Sequence, residues 1–374
     1  MKIVIAPDSF KGSLTAKAAA AAIAEGVNRA DATVETVQIP LADGGEGTAQ
    51  TLCDATGGQM HAVMVKDPLL REVTAQYAVL GDGITAVIEM AEASGLPILT
   101  KAERNPRVTS TFGTGQLIRA ALDRGCRRFV VAIGGSATND GGAGMMSALG
   151  VVFRDGNGQG LPPGGGSLDM LREIDMENMD SRLAESAFVA ACDVDNPLCG
   201  PRGASAVFGP QKGASAADVA HLDNCLAQYG RVLEAAFGRH IADIPGAGAA
   251  GGMGAALNAF LRSEMESGAE IVKKEVRFVQ ALAGADLLIT GEGFIDFQTL
   301  AGKTPYAAAI EAKRRGIPAV AICGGIGTLN DAFDDVFTSV FSIVNRPMDL
   351  AEATENAYAL LAEAAYRVVR LLCR

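Results

Sequence analysis

Lys2-Ile-Val-Ile-Ala6, then Pro7-Asp-Ser-Phe-Lys-Gly-Ser13, then the Ala-rich run Ala16–Asn28 open the chain. The first run is apolar and long enough only for a strand. The second is a loop. Ser13 and Thr15 offer N-caps for a helix over the third. A second strand, Val34–Ile39, runs into the loop Pro40-Leu-Ala-Asp43-Gly-Gly-Glu46-Gly47, and a helix follows from Thr48 to Ala55. This β-α-β-α order is the rhythm of a parallel sheet covered by helices.

The rhythm then changes. His61–Lys66, Val73–Leu80 and Ile84–Met90 are strand-like runs with almost no helix between them, and Gly81-Asp82-Gly83 marks a hairpin. This region is expected to be antiparallel or mixed. A helix is expected around Gly115–Asp123, a buried strand over Phe129–Ile133, a surface loop over Arg154–Gly166 and a helix over Val219–Phe237. From Ile271 the β/α order returns. Helices are expected over Val272–Leu282, Pro305–Arg315 and Leu350–Leu372, and strands over Asp286–Thr290, Ala319–Cys323 and Ser339–Val344.

The expected fold is therefore α/β with two domains. A discontinuous, doubly wound parallel-sheet domain of Rossmann-like type comes from residues 1–60 and 271–374, and an inserted mixed-sheet α/β domain from 61–270. The cleft between them is the default place for an active site.

Composition narrows the function. A chain of 374 residues with 49% apolar and 20% charged residues has enough core for two globular domains. The net charge of −11 repels polyanions, so nucleic acid is not an expected partner. Seven cysteines at irregular spacing, without C-x-x-C, read as buried free thiols in a reducing compartment. His61, His221 and His240 lack metal-ligand spacing. The N-terminal apolar run is too short for a signal peptide, and the uncharged stretch Ile244–Leu261 carries five Gly and a Pro. A soluble, cytoplasmic protein without membrane partners, monomeric or homodimeric, is expected.

Six polar, Gly-rich loops follow predicted strands. They begin at Pro7, Ala42, Gly134, Cys192, Gly291 and Gly324. Any one reads equally as a solvated turn, but together they suggest a ligand-binding carboxyl edge. Gly134-Gly-Ser-Ala-Thr-Asn-Asp-Gly-Gly142 stands before a predicted helix, where backbone N–H groups can approach an anion. Its Ser136, Thr138 and Asn139 add side-chain donors. Gly302-Lys303-Thr304 supplies only the end of a phosphate-loop motif, since Phe297 stands where its first Gly belongs. Gly246-Ala-Gly248-Ala-Ala-Gly251 has dinucleotide spacing but no clear strand before it. Asp8, Asp43, Glu46, Asp193, Asp195, Glu292 and Asp296 are candidate oxygen ligands for Mg²⁺. Lys11, Lys212 and Lys303 are candidate phosphate partners, and Arg71, Arg104 and Arg107 candidate carboxylate clamps.

At these loops the sequence closely resembles the type I glycerate kinases of bacteria. The resemblance runs nearly the whole length and rests on Ile5–Lys11, Ala42–Thr48, Ile88-Glu-Met-Ala91, Arg104-Asn-Pro106, Phe112–Gly115 and Gly134–Gly144. It continues through Ala191–Leu198, Val207–Gly213, Pro245–Gly252, Thr290–Asp296 and Gln298-Thr299. Phe294 and Phe297 depart from it, since smaller or more polar residues are expected there. The resemblance implies an ATP- and Mg²⁺-dependent kinase acting on D-glycerate, with 2-phosphoglycerate the product in most members and 3-phosphoglycerate the alternative. Residue roles follow from the chemistry. Asp193, Asp8 and Lys11 are the catalytic candidates, with Asp193 the favoured base. Gly134, Gly135, Ser136, Thr138, Asn139, Lys212 and Lys303 are assigned to the nucleotide phosphates. Ser9, Arg71 and Arg104 are assigned to glycerate, and Asp193, Glu292 and Asp296 to Mg²⁺. Domain closure is expected to exclude water. A hydroxy-acid dehydrogenase is disfavoured by the lack of a dinucleotide fingerprint at either end of the parallel domain, and a metabolite sensor has no need of so many acids and bases.

Overall fold

The structure is a computed structural model and describes residues 1–301 and 303–372; Gly302 and Cys373 lie outside the described residues. The chain divides into two compact units. One comprises Met1–Asp43, Gln50–Thr56 and the chain from Ala269 onward; the other comprises Gly44–Ala49 and Gly57–Gly268.

The first unit is built on a five-stranded sheet in the order Ser339–Ser342, Ala319–Cys323, Leu287–Thr290, Lys2–Ile5, Glu35–Gln38. All four pairings are parallel, with Ile3 opposite Leu287 and Ile5 opposite Ile289. Renumbered within the unit, the order is 2-1-3-4-5, a doubly wound arrangement. The strand order reverses between Lys2–Ile5 and Leu287–Thr290, and there a crevice opens at the carboxyl ends. Both strands are almost wholly apolar and buried, as parallel strands covered on both faces must be. The helix Ala16–Ala30, capped by Thr15 Oγ1 accepting from Ala18 N at 3.1 Å, packs on the C-terminal helix Ala357–Leu372. A Cβ at Gly26 would lie 2.1 Å from the Ala362 carbonyl oxygen, so glycine is what lets the two backbones meet.

The second unit holds a six-stranded mixed sheet in the order Glu264–Glu266, Ala187–Ala191, Arg128–Ala132, Thr85–Glu89, Glu72–Val79, Gln59–Lys66. The hairpin at Gly81–Gly83 joins antiparallel strands, and the four strands from Thr85–Glu89 outward are parallel. Its core runs from Tyr77 and Ile88 through Phe129 and Phe188, whose rings stack at 4.5 Å, to Tyr229 and Met253.

Several expectations change. The six Gly-rich loops do not share one edge. Those beginning at Pro7, Gly291 and Gly324 belong to the first sheet, and those at Gly134 and Cys192 to the second. The loop from Ala42 is divided, with Asp43 in the first unit and Gly44–Ala49 in the second. The helix expected over Val272–Leu282 is two pieces, Gly268–Glu275 and Phe278–Ala281, because Arg277 takes a positive φ of 54°. The closing helix breaks at Asn356, after Leu350–Glu355. No described helix is long and apolar enough to cross a membrane.

Candidate active site

In the first unit the loops after Lys2–Ile5 and Leu287–Thr290 stand side by side at the point of strand-order reversal. They are tied at the base by Thr290 Oγ1 donating to Ala6 O at 2.7 Å and Asp8 N to Gly291 O at 2.8 Å. Above them is a cavity of about 660 Å³, whose polar lining includes Asp8, Ser9, Lys11, Asp43, Glu292, Asp296 and Lys303. These seven residues, singled out separately from the sequence for catalysis, glycerate, phosphate or metal, thus share one cavity. Phe10, Phe294 and Ile343 give it an apolar wall.

The electrostatics of this cavity are unbalanced toward negative. Asp8 is 7% exposed. Burial, then the Asp43 carboxylate, push it up to about 6, against the pull of the Thr304 hydroxyl, the Ser9 amide (2.6 Å) and Lys11. Burial pushes Glu292 up to about 7, although Thr299 Oγ1 donates to it at 2.8 Å and Lys303 stands near. Thr299 also accepts from Asp296 N at 3.3 Å, so one buried hydroxyl spaces two acids. Burial works to lower Lys11, but Asp43 (3.4 Å), Asp8 and Glu292 outweigh it and hold the ammonium above its ordinary value. Hard oxygen donors, two of them reluctant to ionise without a further cation, fit Mg²⁺.

The sign of the Glu292 shift gives a test. Between the ordinary value of 4.5 and about 7 the folded protein binds more protons than the unfolded chain, so this group's contribution makes stability fall as pH rises through that window. In metal-free buffer Glu292→Gln should melt a few degrees above wild type at about pH 8, and the gap should close toward about pH 5. A pH-independent difference in melting temperature would refute the assignment.

In the second unit the loop from Gly134 has an exposed crest, Gly134 and Gly135, over a buried base from Ser136 to Asp140. The expectation that its helix offers free amides to a phosphate is corrected. The Asp140 carboxylate accepts from Gly142 N at 3.1 Å, Gly144 N at 3.2 Å, Thr111 N at 2.8 Å and Thr111 Oγ1 at 2.9 Å. The chain's own buried carboxyl group occupies the start of the short helix Ala143–Ala148. Lys212 is not a surface cation either. It is buried beneath the loop, donating to Ser136 Oγ and to Thr138 O, each at 2.7 Å. Asn139 Nδ2 donates to Ser205 Oγ at 3.0 Å, while Thr138 Oγ1 and Asn139 Oδ1 have no partner among the described residues.

The remaining candidates separate by what already holds them. Arg71 is taken, with Nε on Asp67 and Nη1 on Glu103, both at 2.6 Å. Arg104 is partly exposed, forms no ion pair among the described residues, and has a buried Nε without a partner. Its main chain lies against Gly213, next to Lys212. Asp193 is exposed and accepts from Gly268 N at 3.2 Å. Glu89, not singled out for a role in the sequence, is a buried carboxylate that accepts from Ala49 N at 2.7 Å and Gly47 N at 3.2 Å and fixes that Gly-rich turn. The Gly246–Gly251 segment follows no strand. It forms the floor of the Gly134 loop, with Gly141 N donating to Gly251 O at 3.0 Å. His221, four residues before Cys225 and near Asp169, bonds through Nε2 to the Gly166 carbonyl at 2.9 Å. A cavity of about 510 Å³ in the second unit is lined by none of the predicted site residues.

The chain is similar to known proteins over its whole length. Residues 3–373 match the model of the glycerate kinase family. A glycerate kinase of Halalkalibacterium halodurans is 48% identical over 98% of this chain and 97% of its own length. A glycerate 2-kinase of Escherichia coli is 45% identical over 100% of this chain and 98% of its own. The crystal structure of a putative glycerate kinase 2 from Salmonella typhimurium LT2 superposes with a TM-score of 0.92 at 45% identity, covering 100% of this chain and 98% of that one.

Proposed function

The chain belongs to the glycerate kinase family, and on that premise we propose that it transfers the γ-phosphoryl group of ATP to the 2-hydroxyl of D-glycerate, giving 2-phosphoglycerate and ADP. The observation that carries the residue roles is the cavity at the strand-order reversal, where Asp8, Lys11 and Glu292 meet.

Phosphoryl transfer asks for alignment and charge neutralisation rather than covalent chemistry. Asp8 is the base. Its raised pKa lets it accept the glycerate hydroxyl proton near neutral pH as that oxygen attacks. Lys11 and Lys303 face the charge that develops on the transferred group. Ser9, in the same cavity, is the proposed contact for glycerate, and Arg104, without an ion pair among the described residues, is kept as the candidate guanidinium for a carboxylate. The crest Gly134-Gly135 with Ser136 takes the phosphates of ATP. Glu292 and Asp296 are the groups that would hold Mg²⁺, which when bound supplies positive charge to the phosphates. Asp193 is the second candidate for base and metal ligand.

The test is an assay with ATP, MgCl₂ and D-glycerate followed by proton-coupled phosphorus NMR of the product. A doublet, from coupling to the single hydrogen on carbon 2, is expected. A triplet would place the phosphate on carbon 3 and overturn the regiochemistry. No ADP formation would overturn the reaction itself.

A further inference from the structure

We propose that Lys212 is a positioning residue for the ATP phosphates at Gly134–Ser136: it presets the Ser136 hydroxyl as a donor and takes up a proton when the phosphates bind. The inference rests on the reading of this loop as the nucleotide-phosphate site.

Lys212 is 1% exposed, on the short turn Pro210–Lys212. Its Nζ reaches Ser136 Oγ and the Thr138 carbonyl, two acceptors that flank Ala137, and so clamps the turn from below. Donation into Ser136 Oγ occupies a lone pair and turns the hydroxyl hydrogen away from the lysine. Ser136 makes no other side-chain bond among the described residues, so that hydrogen remains for a ligand. Gly135 beside it has a φ of +73°, and Gly134 and Gly135 are the exposed part of the loop.

The count of donors matters. An ammonium carries three N–H groups and a neutral amine two. Two acceptors therefore suit the neutral amine. Burial favours the same form and pushes Lys212 down to about 7, while Asp140, across the loop, pulls the other way. From the Arg104 segment, the main chain reaches Gly213. Phosphates over Ser136 add negative charge and shift the balance to the ammonium. A proton then comes from solvent to Nζ, and the charge strengthens the Ser136 donor.

Calorimetric titration with ATP and MgCl₂ at about pH 8, in two buffers of different ionisation enthalpy, measures this uptake directly. Wild type should take up a fraction of a proton that Lys212→Met does not. Ser136→Ala should bind ATP about tenfold more weakly than wild type while keeping some uptake. Equal uptake by wild type and Lys212→Met, or unchanged ATP affinity in Ser136→Ala, overturns the inference. Should Lys212→Met not fold, the wild-type affinity decides: it must weaken from about pH 7 to about pH 9, and a flat profile overturns the proposal. The readout is binding, so failure of the glycerate reading shows in the product assay and failure of this inference shows here.

Discussion

Asp8→Asn should lower kcat for D-glycerate by about a thousandfold, with KM for ATP changed by less than about threefold. Asparagine has nearly the same shape, and its Oδ1 can still accept from Ser9 N, which the wild-type carboxylate does at 2.6 Å. What it cannot do is accept a proton at neutral pH. A positioned general base contributes about a hundred- to ten-thousandfold, so the loss belongs in kcat. Folding should not suffer. Burial and Asp43 already disfavour the Asp8 charge, and removing it relieves that repulsion. The checks are steady-state kinetics and thermal melts on the same preparations. Asp193→Asn is the comparison: a collapse of turnover there, with Asp8→Asn within about tenfold of wild type, would move the base to Asp193.

Gly251→Ala should lower the melting temperature by about 10 °C or leave little folded protein. Two costs add. A Cβ would stand 2.0 Å from the Thr138 carbonyl oxygen and 2.6 Å from Asn139 Cα, both backbone atoms that cannot swing aside. The residue also sits at a φ of +70°, where a side chain costs about 1 kcal/mol or more. Gly238→Ala separates them. It has a similar φ of +65° but nothing within 4 Å of its Cβ, so it should lose only about 1 kcal/mol. Equal losses in the two variants would show that the contact with the Gly134 loop contributes nothing. A larger loss at Gly251 makes the Gly-rich segment a floor for that loop rather than a nucleotide fingerprint.

The parallel sheet of the first unit was legible because its strands are continuous apolar runs between glycine-rich loops. Val320 and Ile322 are buried, and so is every residue of Leu287–Thr290. The strand Glu264–Glu266 was not legible, being three residues, two of them charged, at a sheet edge. The sequence also marked the acids and bases that line the first unit's cavity, since all but Lys303, which precedes the helix Thr304–Lys313, lie in loops that follow strands. It did not distinguish Arg71 from Arg104. That difference comes from Asp67 and Glu103, of which the second lies 32 residues away in sequence. Nor did it show that the lysine of Gly-Pro-Gln-Lys-Gly is buried: Lys212 reaches Ser136 across 76 positions. The Asp140 cap depends on Thr111, 29 positions earlier. Periodicity and loop chemistry are local, and these contacts are not.

The central pairing of the first sheet, Ile3–Ile5 with Leu287–Ile289, joins segments far apart in the chain. On the ribosome, Lys2–Ile5 can pair early with Glu35–Gln38, but its other neighbour, Leu287–Thr290, is made far later, whereas Gly57–Gly268 emerges as one uninterrupted stretch. The nascent chain must hold one edge of an apolar strand and one face of an Ala-rich helix uncovered until the C-terminal part is made. Slow synthesis or early termination therefore leaves the N-terminal arm, not the middle, as the segment for a chaperone to shield.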